Sequence, residues 1–297
     1  MFRIAVLLVL CALPLFAAEP LILRYPQLAE VSDQRSEYPL ALLTLALKKM
    51  DLKAVLAPTE QPLSKSRAIA LLQQERELDV IWTMTSKEKE ASLLPVRIPL
   101  MKGLGAYRAL LIRQGTQHLF EADLSLKGFK QRILAQGHDW VDTQILRAHR
   151  FTVQGASDYP TLFQMLDKGR VDAVPRAVTE IMPELKRYQQ QGAAIAVEPN
   201  WLLHYPGAVY FFVAPSQTAL AALIEQGLEK AIADGSFDQL FEQHFAADIQ
   251  QLQLAQRHVI ELENPFLPQA TPLERKELWY KPKSKRYTEL TLDKPQN

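Results

Sequence analysis

"LDVIWTMTSKEKEASLLPVRIPL" occupies residues 78–100. Its first seven residues are almost uninterruptedly apolar, and a charged segment follows at once. An apolar run of that length, bounded by polar residues, reads as a strand buried on both faces. The residues before it alternate between helix and strand signals. "SKSRAIALLQQERE" (64–77) predicts a helix with Ile69 and Leu72 on one face, and "DLKAVLAP" (51–58) a strand. "SEYPLALLTLALKKM" (36–50) predicts a helix with Ser36 as its N-cap, Pro39 in its first turn, and Leu40, Leu43, Leu47 and Met50 on one face. "EPLILRYP" (19–26) opens the series as a strand. The order is βαβαβ, which predicts a parallel sheet covered by helices.

A second α/β unit follows. "GAYRALLIRQG" (105–115) reads as a strand, and residues 131–157 as strand, loop, helix and strand. "DYPTLFQMLDKG" (158–169) reads as a helix. Val171–Val174 reads as a short strand ending at Pro175, with a helix over about 178–191 and the strand "AAIAVEP" (193–199) behind it. "YPGAVYFFVAPS" (205–216) reads as one long strand. Residues 218–245 then read as two helices turning at Asp234-Gly235. From Asn264 the chain is Pro-rich, and residues 273–287 hold six basic and two acidic side chains. Such a stretch reads as a tail draped over the surface or a segment that docks a partner. Trp279 and Tyr280 mark the part that packs.

Composition narrows the class. The 297 residues are 48% hydrophobic and 23% charged, with a formal net charge of +1. That is globular composition with no overall pull toward nucleic acid. Residues 1–18 carry Arg3, an apolar run from Ile4 to Phe16 and small residues at Ala17 and Ala18, the layout of a secretory signal peptide. Cleavage there leaves 33 basic against 33 acidic residues and removes the one cysteine, Cys11. An exported chain without disulfides suits a bacterial periplasm. No catalytic motif, phosphate-binding loop or metal-ligand spacing is present, so neither a cofactor nor a metal is expected. For an exported enzyme, the nearest acid/base pairing is His138 with Asp139.

Four features in order carry a resemblance. They are the leader, the βαβαβ unit running into "TSKEKE", the segment "GRVDAV" (169–174), and the helix pair with Ile232, Asp234, Gly235, Phe237 and Leu240. Together they resemble the periplasmic solute-binding proteins of amino-acid ABC transporters, extracellular solute-binding family 3, over residues 20–247. The resemblance implies an α/β, two-lobed type II periplasmic-binding-protein fold, each lobe a mixed, mostly parallel sheet flanked by helices. Lobe 1 would comprise residues 19–104 and 208–260, lobe 2 residues 109–204, and 261–297 a C-terminal extension. It also implies a monomer with a small-molecule ligand in the cleft, lobe closure by hinge motion, and a membrane permease or receptor as partner.

The resemblance also places candidate contacts. Lys89 stands where the family's carboxylate-clamping arginine would be; the alternative is a solvated helix residue. Trp82 offers a stacking wall, or is core, and Thr83 or Thr85 a hydroxyl. Gly137 lets backbone approach a ligand at the helix N-terminus, with Trp140 beside it as a contact; the alternative is that Asp139 or Asp142 caps that helix itself. Arg176 stands near where the family has an acid for the ligand's amino group; alternatively it pairs with Glu180 or Asp172. With Arg24, Arg97 and Arg108 also at strand ends or hinges, the expectation is a cationic pocket and a small anionic ligand captured for ABC-type uptake. The alternatives are a sensory or partner-docking protein of the same fold, and an exported enzyme.

Overall fold

The computed structural model describes residues 20–27, 36–284 and 286–292, so the leader expected over residues 1–18 lies outside the described residues. No helix among them is long and apolar enough to cross a membrane.

The first part of the chain runs β1 (Leu21–Gln27), α1 (Glu37–Lys49), β2 (Ala54–Pro62), α2 (Lys65–Gln73), β3 (Ile81–Met84), α3 (Lys87–Ser92) and β4 (Leu94–Val96). β1 and β2 pair in parallel. The Arg24 carbonyl accepts from the Asp79 and Val80 N–H groups, at 2.9 and 3.2 Å, which brings the approach to β3 beside β1. Leu42, Leu43, Ala46 and Leu47 give α1 its buried stripe. Ser36 does not cap α1, contrary to the sequence expectation. Its backbone is already helical and it makes no side-chain cap bond.

The second part runs β5 (Tyr107–Arg113), α4 (Leu126–Lys130), β6 (Ile133–Gly137), α5 (Val141–Ala148), β7 (Thr152–Ala156), α6 (Tyr159–Asp167), β8 (Ala173–Ala177), α7 (Ile181–Gln190), β9 (Ile195–Val197) and β10 (Trp201–His204). Strand β8 does not stop at Pro175 but continues through Arg176 to Ala177. Its register sets Pro175 opposite Leu110 of β5. The Leu110 carbonyl accepts instead from Glu198 N–H at 2.9 Å, on its other side. Leu110 and Pro175 therefore meet at a point where the β5–β8 ladder needs no N–H, and the proline is tolerated. The Gln136 side-chain amide donates to the Pro175 carbonyl at 3.0 Å.

The last part runs β11 (Val209–Val213), α8 (Thr218–Ala233), α9 (Ser236–Gln251), β12 (His258–Leu262) and β13 (Arg286–Leu290). Of the run expected as one strand over 205–216, only Val209–Val213 is strand, and β10 precedes it. β10 lies in the sheet ordered β13-β12-β10-β5-β8-β6-β7, and β11 lies between β3 and β4 in another. Tyr205–Ala208 thus crosses from one sheet to the other, and the segment between β4 and β5 crosses nearby. The second crossing turns at Gly103, whose φ of +68° suits glycine. α8 packs closely on α1 at Gly227, where a Cβ would lie 2.2 Å from the Ala46 carbonyl oxygen.

The C-terminal segment over residues 258–284 and 286–292 is built into the molecule. β12 pairs in parallel with β10, and β13 with β12. Residues 258–260, assigned from the sequence to lobe 1, belong with 261–262 to this eight-stranded sheet. Between the two strands, Trp279 lies against Gly103, and the Tyr280 N–H donates to the Lys102 carbonyl at 2.7 Å. The Arg275 guanidinium donates to both carboxylate oxygens of Glu229 on α8, at 2.6 and 3.0 Å.

Candidate functional site

The two crossings meet the N-terminal end of α5, and a buried charged network forms there. Arg108 on β5 is 8% exposed. Its Nε–H is shared between Asp142 Oδ1 and the Tyr205 hydroxyl, both at 2.7 Å, and Nη1 donates to the Gly105 carbonyl. The Tyr205 hydroxyl donates in turn to Asp142. Burial opposes the charge on both partners. Arg108 nevertheless holds the Asp142 carboxyl below the usual carboxylate range, and Asp142 and Tyr205 raise the Arg108 guanidinium above its own. Asp142 therefore does not cap α5; it bridges the helix start to a crossing strand.

Arg176 is 6% exposed and sits in a cage. Its Nε donates to Glu184 Oε2 at 2.7 Å, and Nη2 to Glu184 Oε1 at 2.6 Å and Glu180 Oε2 at 2.7 Å. The guanidinium carbon lies 5.2 Å from the Trp140 ring centroid and 5.3 Å from that of Tyr159. The Tyr159 hydroxyl donates to Glu184. Burial works against the charge, but Glu184 and Glu180 outweigh it and keep the guanidinium protonated. The Trp140 indole fills the space above Gly137, where an added Cβ would meet it at 2.4 Å. Of the alternatives for Arg176, Glu180 is a partner. Asp172 is not, because its carboxylate accepts from the Ile133 N–H at 2.7 Å.

The structure does not assemble the expected cationic pocket from the described residues, since each arginine assigned to it already has an acid. Arg24 donates to both oxygens of Asp79 at 2.9 Å. Arg97 donates to Glu90 Oε2 at 3.1 and 2.8 Å, and the Thr85 hydroxyl donates to the other Glu90 oxygen at 2.6 Å. Arg108 and Arg176 face Asp142, Glu180 and Glu184, so the central network has one more acid than base. Trp82 packs on Tyr25 and Phe211, at ring separations of 5.9 and 6.4 Å. Thr83 points to the opposite face of β3 and is buried. His138 meets the Ala156 carbonyl at 3.0 Å, while Asp139 is exposed.

Lys89 stands apart. It is half-buried on α3 and makes no salt bridge among the described residues, its acidic neighbour being Glu88. Burial lowers its pKa, and Lys65 adds to the effect. Met84 and Thr85, just before α3, form one wall of a crevice; Val141, Asp142 and Ile145 of the α5 region form the other. Tyr205, Gly207, Asn264 and Phe266 close it, leaving a void of about 10 Å³. That is room for about one water at most.

Sequence reasoning missed Glu184, Tyr159 and Tyr205. A signal for Glu184 exists: Ile181, Glu184 and Tyr188 share the buried stripe of α7, and a glutamate there requires a cation.

The Asp142 linkage has a defined sign. Its pKa is lowered in the folded state, so its contribution is present above the unfolded carboxylate value of about 3.9 and is lost as pH falls through the folded value. Asp142→Asn is expected to cost about 2 kcal/mol at pH 7, the worth of a charge-assisted hydrogen bond. In denaturant titrations the gap from wild type should shrink below about pH 4. A gap equally wide at pH 7 and in acid would remove Asp142 as its source.

No family model matches the chain, and no curated protein matches it. Solved structures do. A probable amino-acid ABC transporter extracellular-binding protein from Bacillus subtilis superposes with a TM-score of 0.57 at 14% identity, covering 77% of this chain and 100% of its own. An ancestral arginine-binding protein bound to glutamine gives 0.53 at 20% identity, over 75% of this chain and 97% of its own. The VFT2 domain of Bordetella pertussis BvgS gives 0.55 at 16% identity, over 76% and 92%. The fold is that of the two-lobed type II periplasmic binding proteins.

Proposed function

We propose that a chain with this fold works as an exported binding protein. It would hold a small ligand between its two lobes and present it to a membrane permease for ABC-type uptake. The ligand class is an amino acid or a similar zwitterion. One observation carries this reading. The network beside the crevice has an excess acid, while Lys89, on the helix that follows the opposite wall, is a half-buried cation that makes no salt bridge among the described residues and whose lowered pKa its neighbour Glu88 does not restore. A ligand with a carboxylate and a cationic group answers both. The neighbours support that class, as they include an arginine-binding protein bound to glutamine. Binding, rather than catalysis, is the proposed activity.

Entry requires opening, because the crevice is too small for any amino acid. The test is a thermal-shift and calorimetric screen of amino acids, dicarboxylates and peptides. A cognate amino acid at a hundred times its Kd should add about 2.7 kcal/mol. Lys89→Met should abolish that response while leaving the unliganded melting temperature unchanged. No shift across the panel, or a shift with dicarboxylates alone, would overturn the assignment.

A second reading rests on the integrated C-terminal segment and on the likeness to the BvgS domain. In it, the closed state reports to a membrane receptor, and pull-down from membranes with and without ligand would separate it from uptake.

A further inference from the structure

A groove of about 510 Å³ lies on the crossing strands and is lined in part by the C-terminal segment. Its floor is one row of side chains across four strands. Tyr107 on β5 is paired with His204 on β10, His204 with Glu261 on β12, and Glu261 with Glu289 on β13. Residues in direct register project from the same face of a sheet. The His204 ring stacks on Tyr107 with centroids 3.9 Å apart, and its Nδ1 meets the Glu261 carboxylate.

Aromatic rings complete the walls. Tyr280 stands edge-on to Tyr107, with centroids 6.4 Å apart at 82°. The Trp279 indole N–H donates to the Pro272 carbonyl at 2.8 Å, which fixes the ring. Tyr287 lies two residues before Glu289 on β13 and therefore shares its face. Its hydroxyl donates to the Pro282 carbonyl at 2.7 Å.

The lining holds two carboxylates, of which Glu261 meets His204 while Glu289 is exposed. Two carboxylates stand directly opposite each other, an arrangement that destabilises a sheet unless a cation intervenes. Lys281 is the one lysine or arginine among the described lining residues, and its ammonium lies over the Tyr287 ring, 5.2 Å from the centroid. Aromatic faces beside carboxylates are the chemistry that recognises organic cations.

We propose that this groove is a second binding site, separate from the crevice, for a small organic cation: an ammonium or guanidinium on a short apolar stem. Glu261 and Glu289 take the charged end, and Trp279, Tyr280 and Tyr287 hold the stem. The proposal is independent of what the crevice binds. Tyr107 and His204 flank the crossings between sheets, so occupancy here would couple to lobe geometry, and the crevice ligand would couple back by the same factor.

The four tryptophans provide the readout. Agmatine is titrated into the ¹⁵N-labelled full chain, and the indole N–H resonances, assigned with single Trp→Phe variants, are followed. The Trp279 resonance should shift and saturate. In Glu261→Gln/Glu289→Gln the affinity should fall by at least about tenfold. A Trp279 resonance that stays still up to about 10 mM agmatine, far weaker than a specific site requires, overturns the proposal. So does an identical titration in the double variant. A shift of Trp140 without Trp279 would place agmatine beside the crevice, sinking this proposal and leaving the first reading standing.

Discussion

Arg176→Ala is expected to lose about 3–5 kcal/mol of stability, the cost of leaving one half of a buried ion pair without its partner. The substitution abandons Glu184, 10% exposed, and Glu180, 28% exposed, beside two aromatic rings that had the guanidinium between them. The loss comes from uncompensated charge more than from missing volume. Arg176→Met, which restores much of the bulk, should therefore recover little. Arg176→Met with Glu184→Gln should recover most of it, because an apolar or neutral replacement of a whole buried pair is often close to neutral. Urea unfolding of the three variants separates the contributions. If Arg176→Met alone restored wild-type stability, the arginine would be acting only as packing.

A chain ending at Glu263 is expected to lose on the order of 5 kcal/mol, or to fail to accumulate in folded form. The cut removes Leu278, buried at 1% exposure, and the partly buried Phe266 and Trp279. Each such side chain contributes roughly 1.5–3 kcal/mol when buried. The cut also removes the Arg275–Glu229 pair and β13. Calorimetry of the shortened chain checks this. Melting within about 2 °C of the full chain would mean that the segment only drapes the surface.

Much of the architecture was legible in the sequence because its signals are local. The face of α6 and the helix pair α8–α9 follow from apolar spacing, and the turn between them from Gly235, at φ +79°. β8 was read too short because a proline ordinarily ends a strand. Here the missing N–H falls where the ladder makes no demand on it, a fact set by Glu198 rather than by any neighbour in sequence. β10 was missed because four residues, "WLLH", run directly into the Pro206 crossing. In the tail, Trp279 and Tyr280 marked the part that packs, and they lie against Gly103 and Lys102.

The candidate site was less legible, and for one reason. Sequence spacing identified Glu180 as a partner of Arg176 but could not pair Arg108 with Asp142, or Arg176 with Tyr159, since those meetings depend on the sheet. Four arginines seen one by one read as a cationic pocket. Each with its acid in place makes a site whose spare charge is negative.

The position of β10 also shapes the folding route. This strand has β5 on one side and β12 on the other, and β12 in turn waits for β13. Until β12 arrives, β10 presents an open edge, and until β13 arrives β12 does, each a template on which one unfinished chain can pair with another. Pairings of such wide sequence separation also form slowly. The interval between collapse of the N-terminal α/β units and closure of those edges is therefore when this chain is most exposed to aggregation and when a chaperone would matter most.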